Sequence, residues 1–152
     1  MLSKTSQYAL RAVLHLARPP VARRVSATEI AEALSVPANY LSKILHSLGR
    51  AGILTSERGP HGGFALARRP EAIALADILA AFDELTPDQR CLLGRGRCLD
   101  TNPCPAHEEW KAVSERVYGF FDDTTVADLQ GRGLPASALY PRGDDDDEGT
   151  AP

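Results

Sequence analysis

The sequence predicts a mainly α-helical fold with a small β-hairpin, arranged as a winged helix-turn-helix domain plus a long dimerisation helix. Three observations lead to this prediction. Apolar residues recur at spacings of three and four along most of the first 50 residues. Two short segments of alternating character then flank a glycine-rich turn, and another amphipathic stretch lies near residue 110. A chain of 152 residues has room for one ordinary domain and a helical appendage.

The first three predicted helices contain the helix-turn-helix. An apolar face runs along residues 3–17, which predicts the first helix. The segment Ser26-Ala27-Thr28-Glu29 has the form of a capping box and begins a short second helix. Pro37 suits the first position of a third helix, which stops near Gly49 or Gly52. Two short helices joined by a tight turn are typical of a helix-turn-helix.

A β-hairpin is predicted directly after the third helix. Residues 53–57 and 64–67 alternate in character, and the tip between them reads Arg58-Gly59-Pro60-His61-Gly62-Gly63. A hairpin in this position is the wing of a winged helix. A fourth helix is expected over residues 73–82, closed by Thr86-Pro87. We therefore assign residues 1–85 to a winged helix-turn-helix domain.

Three further segments are predicted beyond residue 85. Residues 86–105 form a loop rich in cysteine, glycine and proline. Residues 106–130 contain a long amphipathic helix whose apolar stripe is typical of a dimer contact. Residues 131–152 are too poor in apolar side chains to order themselves, which predicts a disordered acidic tail. No apolar run approaches the ~20 residues of a membrane span, and no signal peptide is recognised, so a cytoplasmic location without membrane contact is expected.

The charge is divided unevenly along the chain. Residues 1–69 hold ten Lys and Arg against three Glu, a net charge of +7. Residues 70–152 hold seven against seventeen Asp and Glu, a net charge of −10, so the two parts sum to −3. The basic part is the one expected to contact a polyanion such as double-stranded DNA.

The predicted DNA contacts lie on the third helix and at the hairpin tip. The second helix of a helix-turn-helix enters the major groove, and its first residues face the base edges. On that helix the candidates are Asn39, Tyr40, Ser42 and Lys43, although Tyr40 suits a place in the core equally well. At the tip they are Arg58, Gly59, His61, Gly62 and Gly63. Arg58 suits the minor groove, and the glycines let backbone amides approach a phosphate. A two-fold dimer would read a palindromic operator.

Three cysteines and one histidine form the candidate metal site. The spacing is Cys91-x6-Cys98-x5-Cys104-x2-His107, within one loop. An odd number of cysteines without an export signal favours a metal or reactive-thiol role over disulfides. Structural zinc ligands are usually closer together, so the wide gaps favour an iron-sulfur cluster, although three cysteines and a histidine are an allowed zinc set. His107 is either the fourth ligand or a helix-capping residue.

Four features of the chain together resemble the Rrf family of winged-helix regulators. They are Tyr8-Ala9-Leu10-Arg11-Ala12, Asn39-Tyr40-Leu41, the tip with Phe64, and the cysteine loop, and the resemblance runs from Met1 to about Leu129. With its IscR-like, NsrR-like and RirA-like members, this family implies a homodimeric transcriptional regulator, a repressor, whose operator binding responds to an iron-sulfur cluster. The cluster would lie near the partner's DNA-binding domain.

The cysteine loop is most similar to the IscR-like form of this family, in which a histidine follows the third cysteine at the same distance. The loop departs from that form in its first spacing, which has six residues where the form has five. Both a 2Fe-2S and a 4Fe-4S cluster therefore stay open.

Three other functions also stay open at this stage. A winged-helix regulator could use the same cysteines as free thiols or as zinc ligands, and metal analysis separates these cases. A thiol enzyme could use Cys104 as nucleophile and His107 as base, but no oxyanion hole or substrate pocket is recognised, so we do not expect an enzyme. A protein-binding adaptor could use the winged helix as a scaffold.

Overall fold

The computed structural model describes residues 2–18, 23–82 and 91–132. The α-helices are α1 (Lys4–Leu16), α2 (Ala27–Leu34), α3 (Ala38–Arg50), α4 (Leu75–Leu79), α5 (His107–Asp123) and α6 (Val126–Gly131). The strands are β1 (Leu54–Glu57) and β2 (Gly63–Leu66), and a short 3-10 turn spans Pro70–Ala72. The predicted mainly α-helical fold with one small hairpin is confirmed.

Some sequence-based predictions fall outside the described residues. They are the closure of the fourth helix at Thr86-Pro87, the domain boundary at residue 85, and the acidic tail beyond its first two residues. None of the helices within the described ranges is long and apolar enough to cross a membrane.

The helix α1 lies at the centre of the packing. Its buried face consists of residues spaced three and four apart, namely Ala9, Ala12, Val13 and Leu16. The small alanines let neighbouring helices approach closely, and α1 contacts α2, α3, α4 and α6. Ser3 caps the helix, because its Oγ accepts a hydrogen bond from the backbone N–H of Ser6 at 3.1 Å.

The helix-turn-helix consists of α2, a short turn and α3. The predicted capping box of α2 is present, with Ser26 and Glu29 each bonding the backbone N–H of the other. α2 ends at Ser35 in the left-handed conformation, with φ 54°. Pro37 lies at the N-cap of α3, one residue before the position that the sequence predicts. The inner face of α3 is buried in the core through Leu41, Ile44, Leu45 and Leu48.

The wing is the antiparallel pair of β1 and β2, in register from Leu54 opposite Leu66 to Glu57 opposite Gly63. The segment before α2 adds a further bridge that the sequence does not reveal, because Val25 and Phe64 exchange two backbone hydrogen bonds of 3.0 and 2.8 Å. The wing is thereby joined to the helix-turn-helix on both sides.

The predicted fourth helix over residues 73–82 is too long at both ends, because α4 begins only at Leu75 and ends at Leu79. Ile73 and Ala74 are extended, and their segment pairs with residues near the C-terminal end of α5. The Ile73 carbonyl accepts from Val126 N–H at 2.9 Å, and Leu75 N–H donates to the Thr124 carbonyl at 2.9 Å. Backbone partners distant in sequence therefore override the local helical spacing.

The chain returns to the main core after α5. Val126 is completely buried in the same cluster as the core of α1. The side chain of Gln130 in α6 donates a hydrogen bond to the Ala17 carbonyl at the end of α1. The last described helix therefore contributes to the core of the helix-turn-helix.

The capping box of α2 should make stability depend on pH through Glu29. Hydrogen bonds from the backbone and then the hydroxyl of Ser26, together with nearby Arg23, hold the pKa of Glu29 below its ordinary value of 4.5. A lowered folded pKa gives stability that is complete above the unfolded pKa and lost as the pH falls through the folded pKa. Glu29→Gln should therefore be less stable than wild type in urea near about pH 7, with a gap that shrinks below 4.5.

The matched control for this experiment is Glu32→Gln, which removes the same charge from the same helix outside the capping box. Its gap to wild type should be small at both pH values. A gap for Glu29→Gln that is the same at low and neutral pH would contradict the argument.

Candidate metal centre and nucleic-acid interface

The four predicted metal ligands line one cavity of about 140 Å³ next to the start of α5. Its walls are formed by Cys91, Arg95, Arg97, Cys98, Leu99, Asn102, Cys104 and His107. We refer to Cys91, Cys98, Cys104 and His107 as the cysteine site. Cys91 and Cys104 are buried, Cys98 is half-buried, and His107 is only 3% exposed.

The side chains of the cysteine site come together in two pairs. The Cys104 side chain lies close enough to Cys91 to lower the pKa of its thiol. The Sγ atom of Cys98 lies 3.0 Å from Nδ1 of His107. Within residues 2–18, 23–82 and 91–132, no group of three or more His, Cys, Asp or Glu side chains converges closely enough to hold a metal ion. The arrangement is thus two pairs facing one cavity.

Tight turns of the loop shape the electrostatics of the thiols. Cys91 N–H donates to the Gly96 carbonyl at 2.8 Å, which folds residues 91–96 back on themselves. Backbone N–H groups of Arg95 and Leu93 then point at the sulfur and lower the pKa of Cys91. Burial, followed by the neighbouring thiols, raises the pKa of Cys98. The loop thus lowers the pKa of one thiol of the site and raises the pKa of another.

The structure brings two residues to the cysteine site that the sequence did not indicate, Asp100 and Lys111. Asp100 Oδ1 lies 2.8 Å from Nε2 of His107, and Lys111 Nζ lies 2.9 and 3.1 Å from the two carboxylate oxygens. The hydrogen bonds from Lys111 and then His107 lower the pKa of Asp100, and Asp100 raises the pKa of Lys111. The only sequence signal was an acidic residue between two cysteines of an irregular loop.

The first turn of α3 is open to solvent. Asn39 and Lys43 are exposed and Ser42 is partly exposed, on the side of α3 opposite its buried leucines. Among the described residues, Lys43 has no salt-bridge partner. The predicted major-groove residues therefore share one accessible surface.

Tyr40 occupies an intermediate position between core and surface. Its side chain is 39% exposed, and its hydroxyl lies 2.5 Å from the hydroxyl of Thr5 in α1. Its ring packs edge-on against Tyr8, with centroids 6.0 Å apart. Tyr40 thus links the recognition surface of α3 to α1.

The tip of the wing needs its glycines for steric reasons. A Cβ atom at Gly63 would lie 2.6 Å from the Val25 carbonyl oxygen, and the residue has φ +136°. A Cβ atom at Gly62 would collide with the Glu57 carbonyl. Arg58 and His61 are exposed at this tip, and Arg24 braces β1 through a 2.7 Å salt bridge to Glu57. The glycines thus hold a tight turn that leaves the two basic side chains outside.

One known family matches the chain over the wing, the helix-turn-helix and the cysteine loop together. Residues 2–132 match the Rrf2 family, described as an iron-dependent transcriptional regulator. The chain belongs to the Rrf2 family. Membership makes it one of a family of DNA-binding transcriptional regulators, and these are not enzymes.

Individual Rrf2 relatives agree with this assignment. A provisionally named HTH-type transcriptional regulator of Aquifex aeolicus is 36% identical over 131 residues, which cover 85% of this chain and 90% of that protein. The HTH-type transcriptional regulator IscR of Escherichia coli is 31% identical over 128 residues, covering 84% of this chain and 78% of IscR.

Two solved structures are also similar to this Rrf2 chain. One is CymR, the global cysteine regulator of B. subtilis, with a TM-score of 0.75, 26% identity, and coverage of 87% of this chain and 97% of CymR. The other is T. potens IscR, with a TM-score of 0.71, 25% identity, and coverage of 94% and 93%. The winged-helix fold is therefore shared with members of this family.

Replacing Gly63 by alanine should displace the wing. The added Cβ meets backbone rather than a flexible side chain, and its φ is one that other residues rarely adopt. We expect a loss of about 1–3 kcal/mol in the free energy of unfolding, measured by urea denaturation. Gly131→Ala is the control, because a Cβ there meets nothing within 4 Å. Equal stability of Gly63→Ala and wild type would refute this account of the wing.

Proposed function

We propose that this chain is a homodimeric transcriptional repressor whose binding to a palindromic operator is modulated by an iron-sulfur cluster held by Cys91, Cys98, Cys104 and His107. The observation that carries the proposal is the arrangement of these four side chains in two pairs around one cavity. We further propose that the protein acts in the cytoplasm on double-stranded DNA.

The chemistry of the cysteine site fits such a cluster. Thiolates are the usual ligands of iron-sulfur clusters, and imidazole can replace them on one iron. Each iron of a two-iron cluster takes two protein ligands, so two pairs of side chains meet that demand and favour the 2Fe-2S form. Arg95 and Arg97 line the same cavity and offset the negative charge of thiolates. When bound, the cluster would link these four residues to one another. This link would depend on the supply of iron and on redox conditions.

A continuous series of contacts leads from the cysteine site to the DNA-binding surface. His107 is the first residue of α5, and α5 packs against α4. α4 packs against α1, and α1 holds Tyr40 of the recognition helix through Thr5 and Tyr8. A change at the cysteine site can therefore shift the balance between two arrangements of α3 if each favours a different state of the site.

The outer face of α5 supports the proposed dimer. Val113, Val117 and Phe120 follow each other at spacings of four and three, and each is about half exposed. Apolar side chains in one stripe on a surface helix are typical of a protein contact. A second copy of the chain is the natural partner of such a stripe, because two-fold dimers are the commonest oligomers and would present two recognition helices to a palindrome.

The cluster proposal predicts a coloured protein. Full-length wild type purified without oxygen should contain iron and sulfide in equal amounts and absorb visible light, and Cys98→Ala should lose most of this absorption because one thiolate ligand is missing. The matched control is Leu92→Ala, an exposed leucine of the same loop that does not line the cavity, which should keep its colour. A colourless wild type with one zinc ion per chain would overturn the proposal.

The DNA proposal is tested at the wing tip. Arg58→Ala should weaken binding to a duplex selected by the wild type by about tenfold, and should reduce the slope of log affinity against log salt by about 1 for each of the two wings of the dimer. Arg116→Ala, which removes an exposed arginine from α5, is the control and should bind like wild type. Fluorescence anisotropy over a salt series gives both quantities. An unchanged affinity and slope for Arg58→Ala would contradict a role of the wing in DNA binding.

A cluster-free regulator that responds through its thiols or zinc is the second candidate. Its support is the structural likeness to CymR, described as a global cysteine regulator, and the contact between the thiols of Cys91 and Cys104. Iron and zinc analysis of the anaerobically purified protein distinguishes it from the first candidate, because only the cluster protein contains iron and acid-labile sulfide.

A further inference from the structure

We propose that Asp100 is a positioning residue of the cysteine site, which fixes the tautomer and orientation of the His107 ring, and that Lys111 holds Asp100 in place for this task. The inference rests on the proposed function of the site, because it assigns a role to residues around a ligand. The four candidate ligands come from the sequence pattern, whereas these two residues come only from the folded geometry.

The two nitrogens of the His107 ring have different partners. Nε2 lies 2.8 Å from Asp100 Oδ1, and Nδ1 lies 3.0 Å from the Sγ atom of Cys98. Each nitrogen of this nearly completely buried ring therefore has one partner, on opposite sides. The ring is held between the loop carboxylate and the cavity.

The chemistry of donors and acceptors decides which ring nitrogen carries the proton. An ionised carboxylate only accepts hydrogen bonds, so the proton of the neutral ring is placed on Nε2. Nδ1 then carries a lone pair that faces the thiols and accepts a hydrogen bond from Cys98. A lone pair directed at the cavity is what a metal ligand requires. Carboxylates bonded to the far nitrogen of a histidine commonly orient metal ligands in this way.

Lys111 holds Asp100 in this position although Asp100 is exposed. Its side chain is 72% exposed, so packing alone does not fix it. Lys111 lies one helical turn after His107 on α5, and its Nζ bonds both carboxylate oxygens at 2.9 and 3.1 Å. The other nearby acid, Glu108, lies 3.9 Å from Nε2, which is beyond hydrogen-bond distance. Asp100 is therefore the acceptor that faces the ring.

The direct test is the tautomer of His107 in the metal-free, reduced full-length chain. Nitrogen-15 shifts of the ring should show the Nε2–H form in wild type and a loss of this preference in Asp100→Ala. The matched control is Glu109→Ala, which removes a carboxylate from the first turn of α5 that is not among the described partners of the ring. Asp100→Glu should restore the wild-type form in part. Equal tautomer populations in Asp100→Ala and wild type would overturn the inference.

The second test uses the anaerobically reconstituted protein. Asp100→Ala should release iron to a chelator at least about tenfold faster than wild type, because loss of such an outer partner typically weakens metal binding by 10–100-fold. Its midpoint potential should rise, since the ring becomes a weaker electron donor, and the nitrogen coupling in pulsed EPR should change. Lys111→Gln should show the same changes to a smaller extent, and Glu109→Ala should match wild type.

These measurements separate the two proposals. A wild type that binds no iron defeats the proposed cluster, while the tautomer of His107 still tests Asp100. A wild type that carries a cluster, combined with equal iron release and potential in Asp100→Ala and Glu109→Ala, defeats the role of Asp100 alone. Thermal melting of the metal-free variants checks that all of them fold, as the exposure of Asp100 leads us to expect.

Discussion

The backbone pairing between residues 73–75 and 124–126 is the constraint on which the rest of the arrangement depends. Its hydrogen bonds, Val126 to Ile73 and Leu75 to Thr124, connect the end of the wing domain to the end of α5. The chain thus leaves the core and comes back to the same place, with the cysteine loop and α5 in between. Helix α5, which begins at His107 of the cysteine site, therefore ends beside the core that contains α1.

The parts of the fold that depend on local chemistry could be predicted from the sequence. The apolar spacing of α1 and α3 and the capping box of α2 are encoded within a few residues. The start of the fourth helix was misplaced, because Ile73 continues a helical spacing while its backbone is held by residues some 50 positions later. The bridge from Val25 to Phe64 was not predicted either, because its two residues are also distant in sequence.

The candidate site likewise contains some residues that the sequence identifies and others that only the structure shows. Cysteines are rare, so their close spacing alone identifies the loop as a candidate site. The structure brings the four side chains of the cysteine site to one cavity. Asp100 and Lys111 are ordinary charged residues whose types and positions in sequence carry no such mark. Their meaning depends on the exact path of the loop across the start of α5, which no periodicity encodes.

The recognition helix is coupled to the remainder of the domain by polar contacts as well as apolar ones. The Tyr40 side chain is 39% exposed and its hydroxyl bonds the hydroxyl of Thr5, so a shift of α1 would be transmitted to an exposed residue of α3. Because α1 also contacts α4 and α6, it is the element through which the C-terminal part can influence α3. Helix α1 therefore connects the C-terminal part to α3, in addition to forming the centre of the core.

The hydrogen bond from Gln130 to the Ala17 carbonyl joins residues that are 113 positions apart. Closing a loop of that length costs conformational entropy that must be met before the contact stabilises anything, whereas α2, α3 and the wing form from neighbours in the chain. Among the described helices, α6 is also the last along the chain. The contact between α6 and α1 therefore closes a much longer loop than the contacts within the helix-turn-helix and the wing, and we expect it to form after them.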